Sequence, residues 1–374
     1  MMSYLYKIPL ELKDINDYLE EEQNFLRGFV KQLENSKNEG NPAKLEIVDE
    51  ILTKLPNLID IIFPMKEPVQ QIQALQKIAR ILAKIFMKTK LKQLGVKNKW
   101  ILLTNGYLGR FVDENYEVAI LLYLVALVYQ ANAQKHVQTS PQYRYFFISA
   151  YSAIKGAILF MKKLKPEPES YAYPFYQMLL LRKIEIEAEL TKAEAFIARK
   201  QGNFERAAKL FAGAASYRFS MMNFDLPETT DTRVKIFAST ELGMACFYIA
   251  VGYSNNNQLN ESHFYLLKAK HYFENAVKLS ESNTELLEAA NRRLDLVNPY
   301  INRVKKELGE DIKKVEEIPD PQPLMKHPEP EALFKPGEVE QEPEMICSNC
   351  FARIPWSEKC PECKEVIIHI EAHK

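Results

Sequence analysis

Four of the five cysteines lie close together near the C-terminus, as the two pairs Cys347-Ser-Asn-Cys350 and Cys360-Pro-Glu-Cys363. Two residues separate the cysteines of each pair, and nine separate the pairs. This spacing is typical of a tetrahedral zinc site, because each pair forms a tight turn that directs two thiolates toward one point. Four thiolates leave no open position for water, so the sequence predicts one structural zinc ion rather than a catalytic one.

Three other interpretations of these cysteines stay open. They could form disulfides, but the first residues lack the charged-then-apolar order of a secretory signal, and the cytoplasm that we therefore expect reduces disulfides. One pair could be a redox dithiol, although no βαβ pattern surrounds it. They could bind an iron–sulfur cluster, for which this paired spacing is unusual. The cysteine spacing favours zinc over these alternatives, and zinc would also supply the stability that so short a segment lacks.

No other residues in the sequence form a motif with known chemistry. It contains no P-loop, dinucleotide fingerprint, His-Glu-x-x-His or Gly-x-Ser-x-Gly motif, and its six histidines are scattered. Cys246 falls in an apolar helical context, where cysteine behaves as a small hydrophobe. The sequence therefore favours binding over catalysis, although an active site assembled from distant residues stays open.

The cysteine segment, residues 346–370, resembles the short zinc ribbons that are appended to archaeal and bacterial proteins. The strand that such ribbons place after the last cysteine pair matches the β-branched run Val366–Ile370. Ribbons of this kind usually have glycine after each pair, whereas this sequence has Phe351 and Lys364. If these turns require a positive φ, both residues carry strain. Phe351 and Trp356 would either contact a partner or form the small core of the ribbon.

Residues 319–345 are predicted to be a disordered linker. They contain seven prolines, and seven acidic residues against two lysines give a net charge of −5. Repeated proline and repulsion between like charges both extend a chain. We therefore expect the ribbon, residues 346–374, to be tethered rather than packed in one place. The apolar pair Leu333-Phe334 is either a short docking motif or an incidental feature of this linker.

Residues 1–318 are predicted to form one helical domain. Of all 374 residues, 47% are hydrophobic and 26% are charged, which is usual for a globular protein. Apolar residues recur at helical spacing, and prolines at 42, 68 and 141 suit the first turns of helices. Val118–Tyr129 is the longest uninterrupted apolar run, which predicts a helix at the centre of the core. We expect an irregular stretch around residues 95–109.

Residues 199–214 resemble the turn and second helix of a tetratricopeptide repeat. Gly202-Asn203 precedes an alanine–phenylalanine–alanine pattern at Ala207, Phe211 and Ala214, and the same pattern recurs 62 residues later at Ala269, Phe273 and Ala276. Tandem repeats of this family recur after about 34 residues. The resemblance, over about residues 185–280, therefore implies an irregular TPR-like solenoid of helical hairpins. A Bro domain, which is a helical solenoid built around such hairpins, is similar in length and helix lengths.

Charge balances over the whole chain, but residues 68–112 contain no acidic residue. Lys77, Arg80, Lys84 and Lys88 follow helical spacing and are predicted to form one cationic stripe on the outer face of a helix. Together with the other basic residues of 77–99, the stripe could bind nucleic acid, anionic lipid, an acidic partner or the acidic linker. It could equally be a solvated face, which is what charged runs on helices usually are.

These observations predict an all-α, cytoplasmic adaptor without catalytic activity. Its helical solenoid would bind a protein or peptide partner, and a tethered structural zinc ribbon would add a second binding module. The alternatives are a Bro-domain-like adaptor at a membrane surface and a nucleic-acid-associated factor that uses the basic residues 77–99. Nothing in the sequence indicates a small-molecule substrate.

Overall fold

The computed structural model of the protein describes residues 15–38, 42–63, 68–88, 100–102, 107–109, 114–168, 170, 172–309, 319–338, 344–347, 349–357 and 359–365. Within them, ten helices follow one another, and four short strands form two antiparallel pairs. The helices are α1 (Ile15–Asn38), α2 (Pro42–Ile62), α3 (Pro68–Lys88), α4 (Glu114–Ala133), α5 (Pro141–Lys163), α6 (Tyr173–Lys200), α7 (Phe204–Met221), α8 (Glu228–Asn255), α9 (Leu259–Leu279) and α10 (Thr284–Leu308). The strands are β1 (Trp100–Leu102), β2 (Tyr107–Gly109), β3 (Glu344–Ile346) and β4 (Arg353–Pro355). The all-α prediction is confirmed.

The chain divides into two compact units, of which unit 1 comprises Met1–Lys183 and Glu329–Lys374. Here each of the helices α1 to α4 contacts the next helix in the sequence, and α1 also contacts α4. Every residue of the apolar run Val118–Tyr129 is buried, so α4 lies at the centre of this unit as predicted. A helix that is apolar on all sides must bury all of them to remove this surface from water.

Unit 2 comprises Ile184–Pro328, in which α7 to α10 likewise contact their neighbours in sequence order. Gly202 has a φ of +75°, and the Asn203 side chain accepts a hydrogen bond from the backbone N–H of Arg206 at the start of α7. Glycine therefore ends α6 in the left-handed conformation that the sequence predicts. The residues of both alanine–phenylalanine–alanine patterns are buried, and Gly243 of α8 leaves room for the ring of Phe273.

Two helices in the described part of the chain are long and apolar enough to cross a membrane by length and composition. In α4 the candidate span is Asn115–Ala133, and 94% of it is buried inside the protein; in α8 the buried share is 67%. The core helix of a soluble protein passes the same test, so these two helices are weak evidence for a membrane span.

Two expectations about local structure need comment. The stretch around residues 95–109 was expected to be irregular, but β1 and β2 pair within it. The strand predicted over Val366–Ile370 lies outside the described residues.

Proline content and charge predicted that residues 319–338 form an extended, unpacked linker. In the structure, these residues instead pack against helices. We call these residues the strap. Leu333 and Phe334 are each 1% exposed, so they belong to the core of unit 1. Proline prevents helix and sheet, but it does not prevent an irregular segment from packing when neighbouring helices supply its hydrogen bonds.

Candidate metal centre and the C-terminal strap

The two cysteine pairs form two turns of the same geometry, which we call the knuckles. In the first knuckle, Cys347–Ala352, the backbone N–H of Cys347 donates to the carbonyl of Ala352 at 2.9 Å, and that of Phe351 donates to the carbonyl of Cys347 at 3.1 Å. The second knuckle, Cys360–Glu365, repeats both bonds, each at 2.9 Å. The spacing of the cysteines thus produces a pair of equivalent turns.

The residue after each pair has a left-handed backbone. The φ angle is +62° at Phe351 and +63° at Lys364, the two positions where the ribbons that the segment resembles usually have glycine. A side chain in this conformation crowds its own carbonyl and costs about 1–2 kcal/mol per residue. The knuckles therefore hold their shape against local strain, as expected if another interaction stabilises them.

The four sulfur atoms meet in one cluster. Cys347 Sγ lies 3.7 Å from Cys363 Sγ, Cys350 Sγ lies 3.7 Å from Cys360 Sγ, and all four sulfurs lie within 4.8 Å of one another. The cysteines are free, so the disulfide alternative is not what the structure shows. A tetrahedral ion with metal–sulfur bonds of about 2.3 Å would hold its sulfurs about 3.8 Å apart. The cluster therefore has the size and chemistry to hold a metal ion.

The environment acts on these thiols in opposite directions. A hydrogen bond from the backbone of Glu365, helped by the Asn349 side chain, lowers the pKa of Cys363 to about 6. Burial raises the pKa of Cys347 above its ordinary value. Thiolates are the ligating form, so a bound cation would favour deprotonation of the whole cluster.

The knuckles pack against a helix of unit 1. Strand β3 contacts α5, and the guanidinium carbon of Arg144 on α5 lies 5.0 Å from the ring centre of Phe351. The small core of this region consists of other residues, namely Met345, Ile346 and Ile354, each 0–1% exposed. Phe351 and Trp356 are only half-buried. Phe351 thus contacts the chain's own helix, and it does not fill the core of the knuckles.

The downstream half of the strap, residues 329–338, lies along α5. Ser152 Oγ donates to the carbonyl of Glu331, and Lys155 Nζ donates to the carbonyl of Pro330 at 2.7 Å. In return, the backbone N–H of Leu333 donates to the Ser152 carbonyl at 3.0 Å. A Cβ added at Gly156 would lie 2.8 Å from the carbonyl oxygen of Phe334, so this approach requires glycine.

The upstream half of the strap, residues 319–328, lies on the helices of unit 2. The backbone N–H of Leu324 donates to the Lys209 carbonyl at 2.8 Å, and a Cβ at Gly213 would lie 2.2 Å from the Leu324 carbonyl oxygen. Asp320 accepts a hydrogen bond from Tyr272 Oη at 3.0 Å and lies 2.8 Å from Lys268 Nζ.

Burial and the nearby Asp320 carboxylate raise the pKa of Cys246 to about 12, so this thiol stays protonated at neutral pH.

Of the comparisons with known proteins, only the one with solved structures finds similar chains. No protein-family model and no curated protein sequence matches the chain. Among solved structures, a complex of the ALIX Bro1 domain with CHMP4C is 13% identical with a TM-score of 0.58, covering 80% of this chain and 89% of that one. A Bro1 domain described in connection with endosomal targeting is 12% identical with a TM-score of 0.60, covering 81% and 89%.

The chain has the fold of a Bro1 domain. A third structure, ALIX with a late-domain peptide of the virus SIVmac239, is 15% identical with a TM-score of 0.59; the match covers 83% of this chain and 47% of that one. At these identities the likeness concerns the fold alone. It agrees with the Bro-domain similarity in length and helix lengths, whereas no family model supports a tetratricopeptide repeat or a zinc ribbon.

The cationic stripe of the Bro1-like fold is not continuous. Lys77 is exposed and Lys84 is half-buried, but Arg80 is only 5% exposed. Its guanidinium carbon lies 5.2 Å from the ring centre of Phe334. Lys88 is the last residue of α3, and its side chain lies outside the described set. Arg80 therefore contacts the strap and is not part of an outer face.

Unit 2 also buries an ion network that the sequence pattern did not reveal. Arg218, 2% exposed, donates to Glu189 and lies 3.5 Å from Glu241, while Lys192 lies 2.6 Å from Glu189. Burial would lower the pKa of Arg218, but Glu241 and Glu189 raise it above its ordinary value. Burial raises the pKa of Glu241, and Arg218 opposes this effect. The opposite charges therefore compensate one another, as buried charges require.

Proposed function

We propose that the protein is a non-catalytic adaptor that binds an extended segment of a protein partner on its Bro1-like helices. The observation that carries this proposal is the strap. Surfaces of α5 and α7 already receive an extended segment through backbone hydrogen bonds, and each has a glycine where the segment comes closest. In such recognition, hydrogen bonds to the backbone of the bound segment provide affinity whatever its sequence, and pockets for its side chains provide specificity. The ALIX structures, with CHMP4C and with a peptide, agree with this mode of action.

Purification of the full chain from its own cells after brief cross-linking tests the proposal. We expect specific proteins to be recovered, with cross-links that map to the surface of α5 or to that of α7. Recovery of nucleic acid alone would contradict an adaptor. The basic residues 77–99 are not part of the proposal, because burial of Arg80 interrupts the stripe on which that alternative rests.

We also propose that Cys347, Cys350, Cys360 and Cys363 bind one structural zinc ion. Zinc accepts four thiolates in a tetrahedron, and both the sulfur distances and the absence of disulfides in this cluster suit it. A reducing compartment such as the cytoplasm would keep these thiols free, and we propose that location for the protein.

Metal analysis of the purified full chain tests the zinc site. We expect one equivalent of zinc, lost in the double variant Cys360→Ser/Cys363→Ser. Cys246→Ala is the matched control, since its sulfur lies outside the cluster and its loss should leave the metal content unchanged. Iron together with acid-labile sulfide would show instead that the site holds an iron–sulfur cluster.

A further inference from the structure

The α5 surface in contact with the strap is built as a peptide site. Ser152 both donates to the strap and accepts from it, Lys155 donates to the strap, and Gly156 provides room for a carbonyl group. These three residues lie within two helical turns, so one extended segment satisfies all of them. None of these hydrogen bonds uses a side chain of the strap, so another segment could make the same ones.

Side-chain recognition at this surface comes from one apolar pair. Leu333 and Phe334 are buried, and the Phe334 ring lies 5.3 Å from that of Phe160 on α5, with Arg80 of α3 against it. Phenylalanine therefore fills a pocket that has an aromatic wall and a cationic wall. A guanidinium packed on a ring favours an aromatic occupant over an aliphatic one.

The residue that follows the first knuckle holds the strap next to this occupant. Arg353 of β4 donates to the carbonyl of Ala332 at 3.2 Å and makes two hydrogen bonds, of 2.6 and 2.9 Å, to the carboxylate of Glu338. Arg353 is paired with Ile346, the residue before the first metal-ligating cysteine. The position of Arg353 thus depends on the fold of the knuckles, which such short segments need metal to maintain.

We propose that the α5 surface from Ser152 to Phe160 is a docking site for an extended partner segment with adjacent leucine and phenylalanine, and that the metal-bound knuckles keep the chain's own Leu333-Phe334 in that site. This inference rests on the proposed adaptor function and zinc site, and it adds the chemistry of the partner and the means of control. A tethered segment acts at an effective concentration of about millimolar, so a partner gains access only when docking of the strap is weakened.

A labelled peptide of residues 329–338, Glu-Pro-Glu-Ala-Leu-Phe-Lys-Pro-Gly-Glu, is the probe. Fluorescence anisotropy would measure its affinity for three forms of the full chain: zinc-loaded, stripped with a chelator, and the zinc-loaded double variant Leu333→Ala/Phe334→Ala. We expect the stripped chain and the double variant to bind the peptide roughly tenfold or more tightly than the loaded wild type, because each raises the fraction of open sites.

The controls identify the site. A peptide with serines in place of leucine and phenylalanine should not bind, and Lys155→Met should weaken binding of the probe to the stripped chain. Met325→Ala, a change at a strap residue that is 49% exposed, should behave as wild type. Circular dichroism would confirm that the stripped chain keeps its helices.

Binding of the probe to none of the three forms would overturn the docking site. Equal binding by the loaded and stripped chains would overturn control by metal. If metal analysis found no metal at all, the zinc proposal would fail on its own, and the double variant would still decide the docking site.

Discussion

The two halves of the strap use the same backbone contact on two different helices. In each half a leucine, Leu324 upstream and Leu333 downstream, donates its N–H to a helix carbonyl, and a glycine four residues further along that helix, Gly213 or Gly156, makes room for a strap carbonyl. The repetition shows that a helix can receive an extended segment at a carbonyl–glycine pair. A helix carbonyl can accept this second bond because it has two lone pairs.

The halves differ in what reinforces that contact. Downstream, a buried phenylalanine and the Arg353–Glu338 pair of the knuckle region add to it. Upstream, Leu324 is half-buried and the reinforcement comes from Asp320 with its tyrosine and lysine partners. Apolar burial and the Arg353–Glu338 pair thus reinforce the downstream half, whereas part-buried polar contacts reinforce the upstream half.

Metal removal should separate the halves most strongly. In small zinc modules the ion contributes about 10–16 kcal/mol of folding free energy, so its loss should unfold the knuckles and free Arg353. Hydrogen exchange in the stripped chain should show lost protection at Leu333 and unchanged protection at Leu324. Equal loss at both leucines would mean that the halves respond as one element.

Truncation of the apolar residues should have the next largest effect. Phe334→Ala removes a ring that is 1% exposed and should lower the free energy of unfolding of unit 1 by about 3–5 kcal/mol. Leu324→Ala should cost clearly less, because that side chain is half-buried. Urea denaturation of both variants measures the difference. Similar costs would show that burial does not distinguish the halves.

Substitution of the two glycines tests the shared backbone contact. Gly213→Ala and Gly156→Ala place a Cβ 2.2 and 2.8 Å from a strap carbonyl, so each half must shift to relieve the overlap. We expect a loss of about 1–3 kcal/mol for each, the larger for Gly213, although alanine usually stabilises a helix interior. Gly28, which has nothing within 4 Å of an added Cβ, is the matched control. An increase in melting temperature for either strap variant would contradict the contact.

The charged contacts should have the smallest effect. Burial alone would raise the pKa of Glu338, but the Arg353 hydrogen bonds outweigh it and hold the pKa below the ordinary 4.5. The pair therefore contributes its full stability above pH 4.5 and loses it as the pH falls through the lowered pKa. At neutral pH, Glu338→Gln and Asp320→Asn should each cost about 1 kcal/mol or less by thermal denaturation. A larger cost for Asp320→Asn would make the upstream half the more firmly held.

The sequence predicted the features that depend on local spacing. Paired cysteines define both knuckles, and alanine–phenylalanine spacing identifies the buried faces of α7 and α9, because both signals lie within a few residues. The packing of the strap depends on contacts between residues far apart in the chain, so composition alone predicted an extended linker. The available signals were glycines within apolar helices and an apolar pair, Leu333-Phe334, in an acidic segment.

Sequence analysis placed Arg80 on an outer face, and this prediction was wrong for a related reason. An α-helix turns about 100° per residue, so Arg80 lies about 60° around α3 from Lys77, toward the apolar side. Lys84 lies only about 20° from Lys77. Helical spacing alone groups the three residues together. The ring that covers the guanidinium comes from the strap, which no local pattern of α3 could indicate.

The left-handed residues of the two knuckles leave unequal freedom for change over evolution. The exposed side chain of Lys364 donates to the carbonyl of Pro361, so glycine at this position would relax the backbone and lose only this one contact. Phe351 has the same left-handed backbone, but its ring makes a cation–π contact with Arg144 that glycine would remove. We therefore expect related sequences to vary at the position of Lys364 in the second knuckle and to keep an aromatic residue at the position of Phe351 in the first.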